Sequence, residues 1–349
     1  MSPLPLIIVN PASAGGVTGA AWPGTASEVR RHFGPFEVAF TKRGGEAVEI
    51  AEREARAGRR FLIACGGDGT VNEVANGILR AGAPSELGVL PSGTGGDFRR
   101  TIRMPLRTAD AALALREGLT RAIDAGRVTF KSDRRQLTDG GRELKSGGRE
   151  LTNDGGELVS GSGELTGGGA EEETRFFLNV ASFGMGGEVI RRVKERAGLP
   201  AGASRVLGGR LSFALAAIQS TLAFEKPAVR VALDGHAESQ LTVTNFCVAN
   251  ARYFGGGMKI APTALLDDGL FDVVAVGDLS ALKVLANSYR VYLGTHLGMR
   301  QVQHARARLV TARPTGSEEV KLEIDGELAG RLPATFEILP GALRVRCPK

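Results

Sequence analysis

A chain of 349 residues with 42% hydrophobic content is long enough for two domains and carries the apolar material for a sizeable core. Its 44 Lys and Arg against 38 Asp and Glu leave a net charge of +6, which suits anionic partners such as a nucleotide or an anionic membrane surface. Aromatics at 5% and the lack of a nucleic-acid motif argue against nucleic acid as a partner.

The first apolar run, Leu6-Ile7-Ile8-Val9, reads as a buried strand and leads into Asn10-Pro11-Ala12-Ser13-Ala14-Gly15-Gly16. Residues 47–57 have helical spacing. A second run, Phe61-Leu62-Ile63-Ala64, enters Cys65-Gly66-Gly67-Asp68-Gly69-Thr70-Val71-Asn72-Glu73, with a predicted helix over 71–81. A strand, a glycine-packed turn and a helix start form a phosphate cradle: glycines let the backbone approach the anion, and free N–H groups point at it. Asp68 is the anomaly, because a carboxylate beside phosphates repels them unless it holds a metal ion or takes a proton from an attacking hydroxyl. The plainer reading is a tight turn with Asp68 or Thr70 as helix cap. A third run, residues 87–90, ends in Pro91-Ser92-Gly93-Thr94-Gly95-Gly96-Asp97-Phe98, and residues 109–117 are again helical. This alternation predicts an open parallel α/β sheet whose strand ends converge on one crevice. Ser13, residues 66–70, Gly93 and Thr94 would surround it.

Residues 132–172 repeat Gly-Gly-Arg-Glu-Leu-like units, lack an apolar pattern and are expected to form a disordered insertion. Beyond them come a strand-like run at 175–181 and a basic helix-like stretch over 189–222. Strands follow at 229–233, 241–249, 270–276, 320–324, 335–339 and 343–347, with a helix over 280–298. Asp234-Gly235 reads as a two-residue hairpin turn. This half is expected to be an all-β second domain. The predicted division is 1–127 for the nucleotide-binding unit, possible completion of it by 330–349, and 128–329 for the second domain.

The motifs Asn10-Pro11-x-Ser13-x-Gly15-Gly16, Gly66-Gly67-Asp68-Gly69-Thr70-x-Asn72-Glu73 and Pro91-x-Gly93-Thr94-x-x-Asp97-Phe98 resemble the catalytic domain of the diacylglycerol kinase family. The likeness is greatest to its small soluble bacterial members, related to sphingosine and ceramide kinases, and runs from about residue 5 to the C-terminus apart from the insertion. It implies a phosphofructokinase/NAD-kinase-like α/β domain beside a β-sandwich. The implied activity is ATP- and Mg2+-dependent phosphorylation of the hydroxyl of a diacylglycerol-like or sphingoid lipid. Asn250 to Pro262, followed by Leu265-Leu266-Asp267-Asp268-Gly269, resembles the family stretch ending in the catalytic carboxylate, which maps to Asp268 as proton acceptor. Asp68 is the alternative base or the Mg2+ ligand. By the same resemblance Asn10, Ser13, Thr41, Gly66, Gly67, Asp68, Gly69, Thr70, Val71, Asn72, Gly93 and Thr94 would meet the nucleotide. Asp325 and Glu327, in an Asp-Gly-Glu turn, would face its phosphates or metal. Gly96 departs from the family pattern, which commonly has Asn there.

Two alternatives stay open: an NAD kinase-like enzyme, which shares the Gly-Gly-Asp-Gly-Thr loop, and a nucleotide-binding regulator without catalysis. His32, His236, His296 and His304 have no partners at metal spacing, and Cys65, Cys247 and Cys347 read as reduced thiols. With neither a signal-peptide pattern nor a spanning run, the expectation is a cytoplasmic protein that meets its lipid at the membrane surface. Arg191, Arg192 and Lys194, with apolar residues through Leu222, would form the docking helix. A homodimer remains an open partner.

Overall fold

The computed structural model describes residues 3–92, 96–132, 171–185 and 226–349. Continuous apolar strands are buried on both faces, which suits a parallel sheet flanked by helices. β1 (Leu6–Val9), β3 (Phe61–Gly66) and β4 (Glu86–Pro91) are such strands, and with β2 (Glu37–Phe40) they pair in parallel in the order β2-β1-β3-β4. The helices of this layer are α1 (Val17–His32), α2 (Glu46–Arg56), α3 (Asp68–Ala81), α4 (Asp97–Thr101) and α5 (Thr108–Glu117). In α2 the buried residues Ala47, Ile50, Ala51 and Ala55 share one face, and that face packs on α3. The two helices touch at Gly77, where an added Cβ would come within 2.5 Å of Ala51 Cβ and Val48 O, so any side chain there would push them apart. α1 and β2 had no signal in the sequence reading: α1 carries Pro23 and two further glycines, and β2 is an edge strand with exposed residues.

The remaining elements are β5 (Leu119–Ser132), β6 (Glu171–Phe177), β7 (Val180–Gly184), β8 (Ala228–Leu233), β9 (Ser239–Thr242), β10 (Asn245–Ala249), β11 (Phe271–Val276), α6 (Ala281–Leu293), β12 (Val302–Ala307), β13 (Leu309–Pro314), β14 (Lys321–Ile324) and β15 (Glu327–Cys347). They build the C-terminal β-sandwich-like layer, with β12-β11-β10-β7-β14-β15 as its antiparallel run. Its core is aromatic: Phe177 stacks on Phe271 at 5.5 Å and Phe183 on Phe246 at 4.8 Å. Each such pair contributes about 0.5–1.5 kcal/mol beyond its buried area.

Two strands stitch the layers together. β5 places Ile123 and Ala125 in the N-terminal core and Val128 and Phe130 in the C-terminal one. β15 does the reverse, with Leu332 to Ile338 in the second core and Leu343, Val345 and Cys347 in the first. Arg344 and Val345 pair in parallel with Glu86 and Leu87 of β4. The boundary expected at 127/128 falls inside β5.

The structure corrects several expectations. Residues 335–339 and 343–347 are one strand, β15, bent by register shifts against β5. Asp234-Gly235 does not close a two-residue hairpin, since β8 and β9 pair as far as Val231↔Ser239. Asp234 Oδ1 instead accepts the N–H groups of Arg308 and Leu309 on β13's side. α6 ends at Leu293, where Gly294 takes a left-handed C-cap, and a 3-10 turn over His296–Gly298 follows. The insertion is shorter than expected at its ends, because Ser132 pairs with Glu171. Residues 133–170 and the basic stretch 189–222 lie outside the described residues.

Candidate active site

The loops after β1, β3 and β4 interlock through their own polar groups. Asn10 Oδ1 accepts the N–H of Ala12 at 3.1 Å, and Asn10 Nδ2 donates to the buried Thr70 hydroxyl at 3.2 Å. Ser13 Oγ accepts the N–H of Gly67 at 3.2 Å. α3 starts at Asp68 behind an extended Gly67 with no side-chain cap, and its first closing bond is Val71 N–H to Gly67 O. The N–H groups of Asp68, Gly69 and Thr70 are thus the open donors of a 14-residue helix start, aimed where an anion is favoured. Val71 itself is buried in the helix, and its N–H is not among them. Thr41 is buried at the end of β2, its N–H bonded to Val9 O. Gly93 and Thr94 lie outside the described residues.

Asp68 is turned away from its own helix. Its Oδ2 accepts the N–H groups of Gly96 and Asp97 at 2.8 and 3.0 Å, and its Oδ1 that of Phe98 at 3.1 Å. It therefore ties the second loop to the third. The cap reading was right about the chemistry and wrong about the helix, which is α4. Gly96 sits at φ +93°, a conformation natural to glycine and tolerated by asparagine, which accounts for both residues suiting this position. Among the described residues, the crevice between Gly66, Gly67, Val89, Ser92 and Gly96 is lined by one cation, Arg99. Arg99 donates to Met104 O at 2.9 Å, while its buried Nε has no partner. Sequence reasoning passed over Arg99, although it stands two residues after the motif aspartate Asp97. Asp97 is buried, pairs with Arg100 at 2.7 Å and accepts the N–H of Gly256 at 2.8 Å, binding the third loop to the triglycine loop of the C-terminal half. Burial pushes its carboxyl above the usual range against those bonds.

The C-terminal half reaches α3 through the turn between β14 and β15. Asp325, at φ +46°, accepts the N–H groups of Leu178, Asn179 and Val180 at 2.9 to 3.0 Å and the amide of Asn72 at 2.8 Å. Burial pushes its carboxyl up to about 6, while the four donors pull the other way. Asn72 also donates to Phe176 O, and Asn76 exchanges two bonds with the Phe176 backbone. Asn72 and Asp325, expected at the nucleotide, clamp α3 to β6 and β7. Glu327 is free of that clamp. It is exposed, and its Oε1 lies 3.0 Å from where a Cβ on Gly69 would stand, beside the first turn of α3. Glu73, which accepts the N–H groups of Gly45 and Ala47, is raised by burial and further by the charge of Glu327.

Asp268 sits elsewhere. Its Oδ1 accepts the N–H of Leu270 at 3.1 Å, and its Oδ2 is paired with Arg306. Asp272, at the start of β11, pairs with Ala249, Ala249 with Val180, and Val180 O accepts the N–H of Asp325. Three strand spacings, about 14 Å, thus separate Asp272, just beyond the Asp268 turn, from Asp325. Beside it the buried Asp272 accepts from Thr263 at 2.7 Å and meets His304 Nε2 at 2.7 Å. Cys65, Cys247 and Cys347 are free and buried, and burial pushes the Cys65 thiol up to about 12.

Comparison with known proteins agrees with this fold. The diacylglycerol kinase catalytic domain matches residues 5–128, and the YegS C-terminal NAD kinase beta sandwich-like domain matches residues 187–347. The chain is 30% identical over 328 residues to a protein of Pseudomonas fluorescens strain Pf-5 described as "Probable lipid kinase YegS-like", covering 93% of this chain and 90% of that protein. It is 25% identical over 309 residues to a diacylglycerol kinase of Bacillus subtilis strain 168, covering 87% of this chain and 83% of that one. Its fold is similar to the crystal structure of a diacylglycerol kinase from Bacillus anthracis strain Sterne, with a TM-score of 0.62, 19% identity, and coverage of 98% and 96%. Among the described residues no helix is long and apolar enough to cross a membrane.

Proposed function

The chain belongs to the family of lipid kinases that carry a diacylglycerol kinase catalytic domain, and from that premise we propose that it transfers the γ-phosphate of ATP to the hydroxyl of a diacylglycerol-like or sphingoid lipid. The observation that carries this reading is the meeting of Glu327 with the open helix start at Gly69. Phosphoryl transfer asks a protein mainly for positioning and charge stabilisation. The N–H groups of Asp68, Gly69 and Thr70 hold phosphate oxygens, and Arg99 adds positive charge beneath them. Asp68 keeps the third loop in place rather than acting as base.

Glu327, not Asp268, is the proposed proton acceptor. It is a solvent-accessible carboxylate beside the phosphate cradle, whereas Asp268 is paired with Arg306 in the turn before β11, with β10 and β7 between that strand and β14. In the reaction the lipid oxygen forms a bond to the γ-phosphorus, the bond to the bridging oxygen breaks, ADP leaves, and the hydroxyl proton passes to Glu327. Magnesium bound to nucleotide phosphates usually takes only one or two protein carboxylates. Such an ion would find Asp68 Oδ1, which accepts only one N–H, and would neutralise charge on the phosphates. Peripheral membrane contact and a cytoplasmic setting belong to the same proposal.

Incubation of the full chain with γ-labelled ATP, magnesium and a panel of neutral glycerolipids, sphingoid bases and NAD tests it. Label in a lipid phosphate is the expected result. Label in NAD alone, or ATP binding with no labelled product, would overturn it.

A further inference from the structure

A second cleft, sharing no lining residue with the phosphate crevice, lies between the end of α4, the start of β5 and the loop leading to Asp268. It encloses about 370 Å3, within the size range of small-molecule sites. Its described lining combines two chemistries. Arg103, Arg121 and Arg252 supply cations, joined by Lys349 at the rim, against one carboxylate, Asp267, paired with Arg121 at 2.8 Å. Ile102 and Leu266 are buried in its wall, while Leu265 is 44% exposed, so the lining offers apolar surface beside its three arginines.

The arginines are not all neutralised within the protein. Arg252 uses Nε to hold Ala264 O at 2.9 Å, which orients its remaining nitrogens. Arg103 has no partner for its side chain among the described residues, although its backbone sits at φ +59°, where glycine or asparagine is commoner. Arg103, without an ion-pair partner among the described residues, thus lines the same cleft as the exposed Leu265. Planar guanidinium groups converging on one space match the oxygens of a phosphate.

We propose that this cleft binds a lipid phosphate, its headgroup held by Arg103, Arg121 and Arg252 and its chain lying along Ile102, Leu265 and Leu266. The site shares no residue with the phosphate crevice, so it stands independently of the catalytic reading.

Calorimetric titration of the full chain with dioctanoyl phosphatidate, dioctanoylglycerol and inorganic phosphate, each with and without saturating ATP analogue, tests the assignment. The lipid phosphate should bind in both conditions, and more tightly than either other probe. Arg103→Glu should weaken it about tenfold or more, with ATP affinity unchanged. Leu265→Asn should weaken the lipid phosphate but not inorganic phosphate. Both positions are exposed, so the variants should fold, and their melting temperatures check that. Four outcomes would overturn the proposal: competition by the ATP analogue, dioctanoylglycerol binding as well as the phosphatidate, inorganic phosphate binding as tightly as the lipid, or insensitivity to Arg103→Glu.

Discussion

Two Asp-Gly turns of the C-terminal half, Asp267-Asp268-Gly269 and Asp325-Gly326-Glu327, look alike in sequence and differ in the structure. Both precede strands and both carry neighbouring carboxylates. The first is tied to β12 through Arg306 and to β5 through Asp124, which accepts the N–H of Gly269 at 2.7 Å. The second is tied to α3 and delivers Glu327 to the phosphate cradle. Strand order separates them, not local chemistry: β10 and β7 lie between β11, which follows the first turn, and β14, which precedes the second. A carboxylate's role is therefore set by which strand of the sheet its turn joins.

The sharpest way to break this comparison is to neutralise one carboxylate in each turn. Glu327→Gln should lower kcat by about two to four orders of magnitude, the usual cost of losing a general base. Asp268→Asn should stay within about fivefold of the wild type, measured by transfer of labelled phosphate at saturating ATP and lipid. A loss of comparable size at Asp268 would restore that residue as the base.

Stability should divide the turns in a second way. Asp325→Ala leaves the N–H groups of Leu178, Asn179 and Val180 and the Asn72 amide without their acceptor, a loss of about 3 kcal/mol or more. Thermal denaturation should show a fall of at least about 5 °C. Asp268→Ala removes a partly exposed ion pair worth about 0–1 kcal/mol and should shift the midpoint by no more than about 2 °C. Equal shifts would mean that the Asp325 clamp does not hold the two layers together.

The smallest effect concerns pH on the Asp268 side. His296 is buried against Ile260 O, in the loop leading to that turn, and burial lowers its pKa below the ordinary 6.5. As pH falls below 6.5 the unfolded chain takes up a proton that the folded chain resists, so stability decreases with acidity in that window. Denaturant unfolding from pH 7.5 to 5.5 should show this slope, reduced in His296→Gln. ATP affinity should be unaffected, because the histidine lies on the other turn's side.

Much of the N-terminal layer was legible because its strands are unbroken apolar runs followed by glycine loops, and residues 6–16, 61–73 and 87–98 carry both signals. The helix behind the second loop begins three residues before the expected Val71, because Gly67 rather than a side-chain cap precedes it. Asp68 and Asn72 belong to the motif, yet their partners at residues 96–98 and at Asp325 are distant in sequence, so their positioning roles left no local trace. Arg99 was hidden because nothing in the adjacent pair Arg99-Arg100 tells which of the two lines the crevice. The least legible feature was β15, whose single strand serves two cores and reads as two strands because Pro340 and Gly341 interrupt its pattern. Which Asp-Gly turn meets the phosphates depends on strand order, and no spacing within either motif encodes it.

The most direct test is a crystal structure of the full chain with magnesium and a non-hydrolysable ATP analogue. The account expects the triphosphate along the start of α3 at Gly69, with its γ-phosphorus beside the Glu327 carboxylate and out of contact with Asp268. A γ-phosphate lying against Asp268 and Arg306, with Glu327 turned to solvent, would contradict it.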